Sequence, residues 1–383
     1  MLIAFDDYPV HQTSLPLAQS GNGNPQFYDR FWFNGFREDL MLGVAFGSYP
    51  NRQIMDGAFS VVHDGRQRSV FASGRMNPSP VDTAMGPIRI EIVEPMRVNR
   101  VIVDAPQHGL AADLTYTAVT QAIEETRQIS YEGARLFMDA TRATQWGTWT
   151  GALEVDGDTI DLGADGIRAV KDRSWGVRSI NSWLEGAPGK PPEVLFLWAP
   201  IHFETYCFHF LVAERPDGST WAHDALVVPK LAADEIPADP VPLARVEHRI
   251  DWVPGQRRSR GATLVMHALD GTVDEMRLES IGTFQMKGLG YGHPTWGHGA
   301  WHDELATGGE SYDLESLNPL AIENLHVQQP VRAYWRGQQG LGVLEQLLIG
   351  THRRYGFTDF LGGAPTHATS ESEGLTRGGN AAG

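Results

Sequence analysis

The chain has 383 residues, with 31 Lys and Arg against 47 Asp and Glu, a formal charge of −16, and it is rich in Gly (42) and Trp (11). That length exceeds the roughly 250–300 residues at which one core stops growing, so two packed units are expected, and an acidic balance without a basic tract argues against a nucleic-acid or anionic-membrane partner. A single cysteine, Cys207, excludes an internal disulfide framework and a cysteine-rich metal site, and no apolar run approaches the roughly 18 residues of a membrane-spanning helix.

Taken in order, residues 1–16 place Asp6, Asp7 and His11 where a signal peptide needs a cationic start and an apolar run, which points to a cytoplasmic location. The segment Phe27–Phe36 carries six Phe, Trp or Tyr side chains, more than one strand face can bury. They divide between core or inter-domain packing and the wall of a ligand cavity. Gly57–His63 and Gln67–Ala72 read as a hairpin, and Arg89–Val93 pairs with Arg97–Ala105 across Glu94-Pro95. Leu114–Val119 alternates like a strand, and the residues up to Arg127 read as an irregular acidic loop. Trp149–Val155 and Thr159–Leu162 flank Asp156-Gly157-Asp158, where Asp-Gly suits a tight turn. Residues 185–192, with three prolines, form the best linker. Beyond it, Tyr206–Glu214 and Thr220–Val228 flank Pro216-Asp217-Gly218, and Ala262–Ala268 and Val273–Ile281 flank Leu269-Asp270-Gly271. Leu231–Pro242 reads as a long loop. The Ser/Thr/Gly/Ala-rich tail 364–383 has the composition of disorder. The expectation is an all-β protein with units at 1–185 and 193–363. In Tyr206–Glu214, Phe208, Phe210 and Val212 share one face and His209, Leu211 and Ala213 the other. Both faces are apolar, as expected where one meets a core and the other a cavity or a second domain.

No phosphate-binding glycine motif and no GxSxG elbow occurs, and Cys207 lies in an apolar strand as a buried, inert thiol. Two constellations carry chemistry. Residues 171–178 (Lys-Asp-Arg-Ser-Trp-Gly-Val-Arg) put Asp172, Ser174 and Gly176 on one face of a strand and Arg173, Trp175 and Val177 on the other. One reading is an acid beside an aromatic wall, with Arg178 orienting a polar substrate end. The other is an Asp–Arg ion pair locking the strand, with Trp175 plugging a barrel end. Residues 288–304 hold His293, His298 and His302 among glycines, with Tyr291, Trp296 and Trp301. His293 or His298 could move a proton near neutral pH. The alternative is a structural loop of stacked rings, and the histidine spacing fits no helix-borne zinc pattern.

Three segments, Asp-Arg-Ser-Trp-Gly-Val-Arg at 172–178, Tyr-Gly-His-Pro-Thr-Trp-Gly-His at 291–298 and Gly-Leu-Gly-Val-Leu-Glu-Gln at 340–346, resemble the two-domain lipocalin-like superfamily. That superfamily includes carotenoid hydratases and lipocalin-like Diels–Alderases. The resemblance spans most of residues 25–362. It implies two calycin-like antiparallel β-barrels packed together, a hydrophobic ligand in a barrel or at the junction, and cofactor-free chemistry on polyene, terpenoid or polyketide-like chains. The acid of the carotenoid hydratases has no clear match here, so the reaction type stays open.

The reading that follows is a cofactor-independent lyase or isomerase, of hydratase, dehydratase or cyclase type, acting on a hydrophobic terpenoid-like or polycyclic molecule. Asp172 is the first choice as acid, with His293 or His298 as its partner base. Trp175, Tyr291 and Trp296 would face a developing cation, and Arg178 would position the acid or a polar substrate end. No metal or cofactor is expected, and a homodimer is compatible with the sequence. The competing class is a non-catalytic carrier of a hydrophobic ligand.

Overall fold

The computed structural model describes residues 7–9, 23–77, 81–178, 191–231 and 238–365. Its elements are antiparallel strands joined by turns and short 3-10 turns. The first sheet runs in spatial order from Leu305–Asp313 through Arg66–Arg75, Ile54–His63, Leu40–Tyr49, Phe27–Phe36, Ile167–Arg178, Arg135–Val155, Leu110–Ala118, Val98–Ala105 and Ile88–Glu94 to Ala84–Met85. It curls into a nearly closed barrel. The second sheet closes fully: Gln338–Ile349 pairs with Val327–Trp335 on one side and with Val194–Trp198 and Ile201–His202 on the other. Both are antiparallel barrels, which leave few sheet edges unpaired.

The anticipated hairpins are present. Asp156 and Gly157 turn with positive φ of 54° and 87°, the geometry that makes Asp-Gly a hairpin signal. The edge strand of the first barrel was not anticipated. Leu305–Asp313 comes from the second half of the sequence and lies along Arg66–Arg75, Leu305 opposite Gly74 through Asp313 opposite Arg66. The first sheet therefore borrows a strand from beyond the second barrel's start. The linker residues 185–190, half of the 231–242 loop and residues 366–383 lie outside the described residues. Ala364, the first residue of the expected tail, is instead fixed: its N–H donates to Gln256 O at 2.8 Å and its carbonyl accepts from Gly255 N at 2.9 Å.

Side-chain parity makes three cores. In Phe27–Phe36 every residue is buried. Phe31 and Phe33 fill the first barrel, while Trp32 and Phe36 point outwards into a core between the barrels. The aromatic run is thus core on one face and inter-barrel packing on the other. Tyr206–Glu214 does the same from the opposite side: Phe208, Phe210 and Val212 fill the second barrel, and Leu211 and Ala213 meet the first. Each large apolar side chain buried this way contributes roughly 1.5–3 kcal/mol, which two-sided strands collect on both faces. Cys207 is buried in the inter-barrel core, and burial pushes its thiol pKa up.

Candidate active site

Asp172 faces the junction of the barrels. On Ile167–Arg178 it is flanked by Trp32 and Thr144, its partners on the neighbouring strands Phe27–Phe36 and Arg135–Val155. Two residues along the latter strand, Arg142 donates from Nη2 to Asp172 Oδ2 at 2.9 Å, and its Nε lies 3.3 Å from Glu125 Oε2. Glu125 enters from the acidic loop and accepts from Thr144 Oγ1 at 2.6 Å. His209 of the second barrel brings Nε2 within 3.9 Å of Glu125 Oε1. Glu345, from the third sequence segment of the resemblance, accepts from His326 Nε2 at 2.7 Å and Gln328 Nε2 at 2.5 Å. Gln328 in turn accepts from Asn34 Nδ2 at 3.2 Å, a hydrogen bond that crosses between the barrels.

The charges do not balance. Asp172, Glu125 and Glu345 share the field of Arg142. Burial raises the Asp172 pKa to about 6. The Arg142 and Arg178 guanidiniums pull it down, and the Glu125 and Glu345 carboxylates push it up. Glu345 goes the other way: burial favours its neutral form, but the His326 and Gln328 hydrogen bonds, with Arg142, hold it below the usual carboxylate range. Burial, together with the Arg142 charge, lowers the His209 pKa to about 4 against the smaller pull of Asp224, so its ring is neutral near pH 7.

Several polar atoms here are buried without a hydrogen-bond partner: Asp172 Oδ1, Glu125 Oε2, both ring nitrogens of His209, and the indole N–H groups of Trp32, Trp146 and Trp198. A buried polar group left unpaired costs about 1–3 kcal/mol. Trp32 and Trp198 meet edge to face with centroids 5.7 Å apart, and Trp146 meets His209 the same way at 6.2 Å.

The remaining residues singled out in the sequence fall in three places. Arg178 shares the strand face of Asp172, and its guanidinium lies 4.7 Å from the Tyr28 ring and 5.7 Å from the Tyr291 ring. Tyr291 also packs edge-on against His298 at 4.4 Å and His326 at 5.0 Å, which links it to Glu345. His298 donates from Nε2 to Leu289 O at 2.9 Å and accepts from Arg30 Nη1 at 2.7 Å. Burial, then the Arg30 and Arg178 charges, keep it neutral. His293 and Trp296 lie against Phe71, with Trp296 stacked on that ring at 5.7 Å. His293 bonds Glu310 through Nε2 at 3.2 Å and accepts the N–H groups of Thr295 and Trp296 at Nδ1. The structure therefore links Asp172, Arg178, Tyr291 and His298 along one seam, and Trp296 lines a small cavity with Arg30 and His298, with His293 behind it against Phe71.

Trp175 points the other way, into an open cavity of about 780 Å³ at one end of the first barrel, shared with Phe27, Phe137 and Val177. The ion pair expected within residues 172–178 also differs. Arg173 faces the barrel interior and bonds Asp29 at 2.7 Å, leaving Arg142 as the partner of Asp172. Among the described residues no three His, Cys, Asp or Glu side chains converge as metal ligands.

A family model described as a family of unknown function (DUF8625) matches residues 2–358. No curated protein matches the sequence significantly. Among solved structures the chain is similar to kievitone hydratase from Nectria haematococca, with a TM-score of 0.52 and 12% identity over 89% of this chain and 93% of that one. It is also similar to an AttH-type protein from Nitrosomonas europaea, with a TM-score of 0.53 and 10% identity over 88% of this chain and 98% of that one. Both are two-domain lipocalin-like barrel proteins, and the fold of this chain is theirs.

Proposed function

The chain belongs to the DUF8625 family, and we propose that it is a cofactor-independent lyase or isomerase of hydratase type acting on a hydrophobic, terpenoid-like or polycyclic molecule at the barrel junction. The observation that carries this reading is Asp172: a carboxyl with a pKa near 6, one oxygen held by Arg142 and the other unpaired, with the unpaired Trp32 indole as its cross-strand neighbour. A carboxyl of that kind keeps its proton at mildly acidic pH and gives it to an alkene or a leaving hydroxyl. As the proton leaves, Arg142 stabilises the carboxylate that remains. The faces of Trp32, Trp146 and Trp198 suit a developing carbocation, worth up to about 2 kcal/mol per desolvated contact. His209, neutral and 3.9 Å from Glu125, is the base proposed to take a proton from the substrate or from an attacking water. Arg178 and Tyr291 close the seam, and Arg30 holds His298 in position. A hydratase among the fold neighbours is in keeping with this chemistry.

The test compares small molecules extracted from wild-type protein and from Asp172→Asn. The variant should retain a molecule that wild-type protein converts with gain or loss of water or at constant mass. A ligand returned unchanged by wild-type protein would identify a carrier instead.

A further inference from the structure

A second cavity lies on the barrel junction away from the unpaired indoles. It has a volume of about 370 Å³, and Phe36, Ile167 and Leu341 give it apolar walls. Arg168 and Lys230, one from each barrel, reach into it, with His202 beside them. Arg168 lies on the same strand face as Asp172, four residues away, or about 13 Å along an extended strand. The two sites are separate.

The two cations are unusual in this chain. Arg37 also lines the cavity, but its guanidinium is paired with Asp39 at 2.6 Å. Arg66, Arg75, Arg100 and Arg127 each hold an acid in an ion pair. Among the described residues the side chains of Arg168 and Lys230 hold none, although the protein carries a formal charge of −16. The acids nearby stay at the edge: Asp165 on the cavity rim and Glu204 beside Lys230 are both exposed. His202 adds no third positive charge, because burial keeps it neutral and its Nε2 donates to Ala169 O at 2.9 Å. Arg168 is exposed, while burial and the Arg168 charge both disfavour the charged form of the half-buried Lys230. Two like charges held together without an anion cost free energy in the isolated protein, and an anion between them would recover it.

We propose that this cavity binds the carboxylate end of a small apolar molecule, the head held between Arg168 and Lys230 and the chain lying against Phe36, Ile167 and Leu341. The planar Arg168 fork matches two carboxylate oxygens and Lys230 adds a point charge. At the roughly 30 Å³ that a water occupies, the cavity has room for about a dozen heavy atoms, the size of a medium-chain acid. The site does not depend on the chemistry assigned to Asp172.

Titration calorimetry of the whole chain with octanoate and with octanol tests it. Octanoate should bind at one site, about tenfold or more tighter than octanol, and more weakly as salt rises. Arg168→Gln and Lys230→Gln should each weaken octanoate about tenfold while leaving octanol unchanged, the loss of one charge-assisted contact. Arg168 is exposed, so its variant tests the site without disturbing a core, and unchanged melting curves verify this for both. Absence of saturable octanoate binding, or wild-type affinity in either variant, would overturn the proposal.

Discussion

Arg142 Nη2 lies 2.9 Å from Asp172 Oδ2, while Asp172 Oδ1 is buried with no partner. One guanidinium thus serves an acid that is half satisfied, within the field of two further carboxylates, Glu125 and Glu345. The first prediction concerns that proton. Infrared difference spectra should show a protonated-carboxyl band that titrates near pH 6 and is missing in Asp172→Asn. Arg142→Met removes the strongest pull towards the charged form, so the midpoint should move upward. A midpoint near 4 in wild-type protein would contradict the burial argument.

If Asp172 is the acid, turnover requires its protonated form. Activity should therefore fall as pH rises through about 6. An activity that climbs through the same range would assign Asp172 the role of base. The profile of kcat against pH decides the point.

Glu214 offers a stability test far from the seam. His248 Nε2 and His352 Nε2 hold its two oxygens at 3.0 and 3.1 Å inside the second barrel. Burial alone would raise its pKa, but these hydrogen bonds and the nearby charges bring it from 4.5 down to about 2. Its contribution, on the order of 3 kcal/mol, is complete above pH 4.5 and is lost as pH falls towards 2. Glu214→Gln should melt below wild-type at neutral pH, with the gap narrowing in acid. A constant gap would remove the carboxylate from the account.

Gly176 sits among the residues that signalled the site, with φ of +134°. A Cβ there would meet the Asp139 carbonyl oxygen at 2.2 Å, a backbone atom that cannot rotate away. Gly176→Ala should cost roughly 1–3 kcal/mol. Calorimetry should register a drop of about 2–4 °C per kcal/mol.

Much of the fold could be read from the chain because hairpin signals are local. Asp156-Gly157 states its turn in two residues, and the two apolar faces of Tyr206–Glu214 state that the strand has neighbours on both sides. Asp172 was visible for the same reason, since it stands in a dense run of charged and aromatic residues. Arg142, Glu125 and His209 were not. They come from a long strand, a loop and the other barrel, and only the pairing of Thr144 with Asp172 and the docking of the barrels bring them together. Trp32 was visible as part of an aromatic run, yet its outward direction depends on which parity faces the barrel. His293 and His298 are neighbours in sequence, but their partners differ: His293 lies against Phe71 and Glu310, and His298 bonds Arg30 and Leu289.

The borrowed strand Leu305–Asp313 means that the two halves of the chain are interlaced rather than merely joined. A protease cut anywhere between residues 178 and 191 would break the covalent connection but not the particle. The downstream fragment would still be threaded into the upstream barrel along Arg66–Arg75, with Arg66–Asp313 and Arg75–Glu304 clasping the two ends of that ladder. Such nicked protein would separate only in denaturant, and fragments mixed afterwards would have to refold as partners to recover either barrel in full.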